Sequence, residues 1–134
     1  MHHIHHALVL NLHQPAGNLD ALLQDPETAW EPTEILYAYD RIPRVMQGRE
    51  DVARVHLSLA ATLLEMLAEP GFQSRWYGTV KCGDLLWALR HPSIHILGTG
   101  YYHPVLPLIP PPDREEHVRR WLGIAGHLLQ RRFQ

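Results

Sequence analysis

A single cysteine, Cys82, stands in the 134 residues. One thiol cannot close an internal disulfide, so a reducing, cytoplasmic setting is expected. No apolar run approaches the roughly eighteen residues that a membrane-crossing helix needs, and no membrane partner is expected. An excess of either charge is also missing: 12 Lys and Arg face 14 Asp and Glu, a formal net charge of -2. That balance provides no field to gather a phosphate backbone, which argues against nucleic acid as a partner. The start, Met1-His2-His3-Ile4-His5-His6, lacks the Lys/Arg-then-apolar order of a secretory leader. Its histidines resemble a purification tag, although Ile4 interrupts them, and a chain end of this kind binds metal without a designed site. No resident metal and no other cofactor is expected.

What is present suits one core-forming domain, with 46% apolar and 19% charged residues. Ala7-Leu8-Val9-Leu10-Asn11-Leu12 is a short apolar run closed by His13-Gln14-Pro15, the pattern of a parallel strand covered on both faces. Residues 18–32 are polar with two prolines and predict a long loop with one helical turn. Asp40 is placed to cap a helix to about Gln47, with Pro43 in its first turn and Gly48 as its stop. Residues 52–57 alternate as a second strand. Leu59, Leu63, Met66 and Leu67 follow at helical spacing, ended by Pro70-Gly71. Residues 72–90 predict more helix, broken near Gly78 or Gly83, and residues 94–97 a third strand. After Pro110-Pro111-Pro112, Asp113 and Glu116 have capping-box-like spacing, and Val118, Trp121, Leu122, Ala125, Leu128, Leu129 and Phe133 mark one face of a last helix.

Strand and helix therefore alternate three times, which predicts an α/β fold with parallel strands and helical crossovers. Three strands are too few to close a barrel. Residues 1–134 therefore read as one α/β unit of about three strands, apparently truncated, with no internal repeat.

Polar residues gather where two of these strands end: Asn11-Leu12-His13-Gln14-Pro15, and Gly98-Thr99-Gly100-Tyr101-Tyr102-His103-Pro104-Val105-Leu106-Pro107-Leu108. Parallel α/β architectures bind ligands at the carboxyl ends of their strands. His13, Gln14, Tyr102 and His103 are accordingly the candidate substrate-binding residues. The plainer readings are a loop hydrogen bond for His13, a structural turn around Pro104 and Pro107, and a core position for one of Tyr101 and Tyr102. Gly98-Thr99-Gly100 lacks the rest of a nucleotide-binding fingerprint.

These two segments, in this order, resemble the first and second sequence signatures of glycoside hydrolase family 57, and Val55-His56-Leu57-Ser58 occupies the place of that family's second strand. The tripeptide His-Gln-Pro is common by itself; the long second segment and the order of the two carry the resemblance, which runs from about Ala7 to Phe133. It implies that residues 1–134 are the N-terminal portion of a (β/α)7-type barrel, here incomplete, and a retaining enzyme acting on an α-glucan or oligosaccharide. Retaining glycosidases hold two carboxyl groups about 5–5.5 Å apart. The family places the nucleophilic Glu and the acid/base Asp on later strands, and neither signature occurs here. No catalytic residue is assigned, the chain alone is expected to be inactive, and the missing strands are expected from the rest of the chain or another subunit. Glu27, Glu31, Asp51, Glu65 and Glu69 read as loop or helix-end residues, and Asp113, Glu115 and Glu116 as a solvated helix start. His95 stands where many relatives carry a Glu, so the resemblance implies a carbohydrate class more firmly than one substrate.

Two other readings are weighed beside it. His91 and His95 resemble a metal-binding pair of polysaccharide deacetylases, whose metal activates a water. The aspartates that such enzymes carry after the first strand are here replaced by Asn11 and His13. The other alternative is a non-catalytic carbohydrate-binding or assembly module. Trp30, Trp76, Trp87 and Trp121 read as packing residues, and Arg119, Arg120, Arg131 and Arg132 as the solvated face of the last helix.

Overall fold

A computed structural model describes residues 7–133; the His-rich start therefore lies outside the described residues. The elements are β1 (Val9–Leu12), α1 (Asn18–Gln24), α2 (Glu31–Met46), β2 (Val55–Leu59), α3 (Ala61–Ala68), α4 (Pro70–Trp76), α5 (Cys82–Ala88), β3 (Ile94–Leu97), a 3₁₀ turn (Leu106–Leu108) and α6 (Pro111–Leu129). The strands form one parallel sheet in the order β1-β2-β3. This is the expected α/β fold, an open sheet of three parallel strands with helical crossovers.

The register sorts the strand residues into two rows. Leu10 pairs with Leu57 and Leu57 with Ile96; Leu12, Leu59, Val55 and Ile94 belong to the same row. Val55, Leu57, Leu59, Leu12 and Ile94 are buried, and they share one core with Leu36 of α2, Leu63, Leu64 and Leu67 of α3, Leu85 of α5 and Trp121 and Leu129 of α6. The other row holds Val9, Asn11, His56, Ser58, His95 and Leu97. Val9 is 53% and Leu97 38% exposed, and Asn11 and His95 are exposed as well. Strand order that advances in one direction returns every right-handed crossover to the same face. The helices thus cover one face and leave the other open, so the expectation that β1 is covered on both faces is corrected. Its apolar run is interrupted by Asn11, which stands on the open row.

Several local expectations change for physical reasons. Helix α2 begins at Glu31, well before Asp40, because Pro32 sits in its first turn, where no N–H is needed. Asp40 is buried inside the helix and pairs with Arg44 one turn on, and Pro43 is tolerated near the end. Gly48 does close the helix, at φ 75°. Pro70-Gly71 starts α4 instead of merely ending α3, since the Glu69 carboxylate accepts from the N–H groups of Gly71 and Phe72. The break in the following helical stretch falls between Trp76 and Cys82, beside Gly78. Helix α6 begins at Pro111 with Pro110 as its cap, so no Asp113–Glu116 box forms; Glu116 pairs with Arg119 and Arg120. Trp76 and Trp121 are core residues, but Trp30 and Trp87 are 62% and 70% exposed. Arg131 is not a solvated residue: it donates to the carbonyls of Ile94 and His91 and ties the chain after α6 to β3. Among the described residues no helix is long and apolar enough to cross a membrane.

Candidate functional site

His13 follows the last residue of β1, and His103 lies in the segment after β3. The two imidazoles nonetheless meet, with ring centroids 5.0 Å apart and planes inclined by 37°. They converge over the central strand, where Ser58 of β2 places its Oγ 3.2 Å from His103 Nε2. Ser58 is on the open row, so the pair stands at the carboxyl end of the sheet on its uncovered face.

The second segment reaches this position through a tight, well-tied turn. The His103 N–H donates to the Gly100 carbonyl at 2.9 Å, and the Tyr101 N–H donates to the His117 carbonyl of α6 at 3.2 Å. His103 adopts φ 58°, a left-handed conformation that a non-glycine residue holds only when its surroundings enforce it. Gly100 contributes to that enforcement. A Cβ there would lie 2.5 Å from Pro104 Cδ, so only glycine lets the turn close on Pro104.

Around His13 the support is polar. Its carbonyl accepts from the Tyr39 hydroxyl at 3.4 Å, and Tyr39 also lies beside the Gln14 side chain. Gln14 is 9% exposed; its amide oxygen accepts from Asn18 at 2.8 Å, and its carbonyl accepts from Thr62. Gln14 therefore holds the β1–α1 turn in shape with the oxygen of its amide. Nδ1 of His13 is buried without a hydrogen-bond partner among the described residues. Burial first, and then repulsion from the neighbouring His103 ring, lower the pKa of His13 from its usual 6.5. The native fold thus favours the neutral ring, and the unfolded chain binds that proton more tightly. The stability due to this ring is present above about pH 6.5 and is lost as pH falls through the lower native value. A His13→Asn chain is expected to lose less thermal stability than the wild type between about pH 7.5 and about pH 5.5. Parallel melts of the two proteins read that difference directly; equal losses would contradict it.

Tyr102 is brought less close. It is 58% exposed and packs edge-on against Tyr101 (4.5 Å) and His117 (5.8 Å) rather than on the histidine pair. Tyr101 is the more buried of the two tyrosines, as one of them was expected to be. Its hydroxyl donates to Glu65 at 2.6 Å, and that bond above all pushes its pKa up to about 12.

His91 and His95 part company. The His91 ring bonds to the Ser93 hydroxyl at 2.8 Å, beside a cavity of about 400 Å³ between α2 and α5 on the helix side of the sheet. Asp40 on the wall of that cavity is paired to Arg44. His95 stacks on His56 across the open face, with centroids 5.0 Å apart. Among the described residues no group of three or more His, Cys, Asp or Glu is placed to hold a metal. Acidic residues are equally absent from the strands and from the described segments after their carboxyl ends, 13–17, Ala60 and 98–110.

Ser58 is the neighbour of the histidine pair that sequence reasoning missed, whereas Trp121, expected as a packing residue, is one. The alternation of β2 could have found Ser58, since it shares a face with His56. Trp121 donates from Nε1 to the Leu59 carbonyl at 2.6 Å, fixing α6 against the end of β2 beside the site; a partner 62 residues away in sequence leaves no local signal. No family model, curated protein or solved structure matches the chain.

Proposed function

We propose that this chain forms one wall of an α-glucan-processing (β/α) barrel of the glycoside hydrolase family 57 type. In this reading His13 and His103 contact the sugar, Gln14 shapes the turn that presents His13, and Tyr102 offers an aromatic surface at the rim. The observation that carries the proposal is the meeting of the two motif histidines, from β1 and from the segment after β3, at 5.0 Å on the open face. A pair of imidazoles suits a polyhydroxylated ligand, because a neutral ring supplies one donor and one acceptor.

The catalytic Glu and Asp belong, in this reading, to strands outside residues 1–134, from the same polypeptide or another subunit. Among the described residues no strand pairs with the outer edge of β1 or of β3, where Arg131 holds the Ile94 carbonyl; in this reading further strands join the sheet, and the open row of Asn11, His56, Ser58 and His95 becomes the polar interior wall. The cytoplasmic setting belongs to the same reading. The chain by itself is a sugar-binding surface with no carboxylate pair to cleave a glycosidic bond.

The test is a titration of the purified chain with a maltooligosaccharide. His13→Ala and His103→Ala are each expected to weaken binding by about tenfold, the value of one well-placed hydrogen bond or slightly more. Unchanged affinity in both variants would remove the basis of the proposal.

A further inference from the structure

We propose that Ser58 is the positioning residue of the site. Its hydroxyl donates to Nε2 of His103, which keeps the ring proton on Nδ1 and turns an Nδ1–H donor toward the ligand. The inference rests on the sugar-binding reading for its functional consequence, but the ring tautomer is a property of the free protein.

Three observations converge on this residue. Ser58 carries the only hydroxyl on any of the three described strands, and it sits on the central one, paired on one side with Asn11 and on the other with Leu97. A ladder on both sides makes it a rigid mount, which a loop hydroxyl would not be. His103, by contrast, comes from a loop and holds φ 58°, so the turn aims its imidazole back at the strand. The two groups meet at 3.2 Å, and the half-buried hydroxyl has no other side-chain or backbone hydrogen bond among the described residues.

The direction of that bond follows from what each alternative leaves unpaired. If Nε2–H donated to Ser58, the hydroxyl proton would have no acceptor among the described residues. If the hydroxyl donates to Nε2, only lone pairs stay unfilled, and an unfilled acceptor is the cheaper defect. A hydroxyl also differs from the carboxylate that so often orients a histidine. It fixes the ring without adding negative charge to a site whose two rings stand 5.0 Å apart. His56 and His95, two residues toward the start of the strands, are the next titratable groups on this face. Of the acidic residues on the helices after β2, Glu65 accepts from the Tyr101 hydroxyl and Glu69 caps the start of α4.

The experiment is long-range ¹H–¹⁵N NMR of the histidine rings in the full chain at about pH 8, where imidazoles are neutral. The His103 ring is assigned by its loss in His103→Gln. The wild type is expected to show a protonated Nδ1 and an unprotonated Nε2. Ser58→Ala is expected to move that ring toward a tautomer mixture, and Ser58→Thr, which keeps the hydroxyl, to restore it. A wild-type ring protonated at Nε2, or a Ser58→Ala ring with unchanged tautomer, overturns the proposal. An unchanged backbone amide spectrum in Ser58→Ala serves as the control for folding. In the maltooligosaccharide titration Ser58→Ala is expected to weaken binding by about three- to tenfold, mainly through the lost donor. A wild type that binds no sugar but shows the serine-dependent tautomer would sink the sugar-binding reading and leave the positioning role standing.

Discussion

Replacing Trp121 with alanine is expected to destabilise the chain by about 3–5 kcal/mol, the usual cost of emptying a buried aromatic site. Small domains hold only about 5–15 kcal/mol in total, so this loss removes a large share of the stability and a clear fall in the unfolding midpoint is expected. Three contacts disappear together. The indole is 1% exposed, packs edge-on against Phe133 at 5.0 Å, and lies against Gly98, where the nearest ring carbon is only 3.5 Å from the position of a Cβ. Its Nε1 also satisfies the Leu59 carbonyl at the end of β2. Trp121→Phe separates these contributions. It keeps most of the volume, orphans the Leu59 carbonyl, and is expected to cost about 1–3 kcal/mol. Urea unfolding monitored by circular dichroism measures both. A Trp121→Ala chain with the wild-type midpoint would mean that α6 does not anchor the sheet.

Gly100→Ala is expected to damage the site more than the fold. The added methyl would stand 2.5 Å from Pro104 Cδ and 2.8 Å from its Cγ, and a proline ring cannot rotate away. Crowding of this kind costs about 1–3 kcal/mol. Relief comes by opening the turn, and His103 lies inside that turn. The Ser58–His103 bond, at 3.2 Å, tolerates little displacement before it is lost. A modest fall in melting temperature is therefore expected together with loss of most maltooligosaccharide affinity. Wild-type affinity in Gly100→Ala would show that the turn geometry does not place His103 for binding.

Both substitutions act where the sequence was only partly legible. The three strands and the strand–helix alternation could be read from β-branched and leucine-rich runs bounded by Pro and Gly, because those signals are local. Boundaries shifted where a proline has two readings: Pro32, Pro70 and Pro111 open helices in their first turns, although the same residue interrupts a helix elsewhere. The open face was misjudged because a short apolar run does not say how many of its sides are covered, and only the register shows Val9 and Asn11 on the bare row. His13 and His103 could be singled out from their places after strands, but their approach to 5.0 Å depends on the left-handed His103 and on the close contact of Gly100 with Pro104. The alternation of β2 could place Ser58 on the same face as His56, but its pairing with His103, 45 residues on, has no local signal. Tyr102 shows the opposite case: its motif position suggested sugar contact, while its ring packs on Tyr101 and His117.

The measurement that tests the central claim most directly is the oligosaccharide titration, followed at the ring nitrogens of His13 and His103 and run with maltooligosaccharide and cellooligosaccharide in parallel. The account predicts millimolar-range binding, about -4 kcal/mol, as suits one wall of a larger site. Both rings are expected to shift with the α-linked sugar and neither with the β-linked one. Absence of any shift at these rings, or the same shift with both sugars, would contradict the assignment of this face to an α-glucan site.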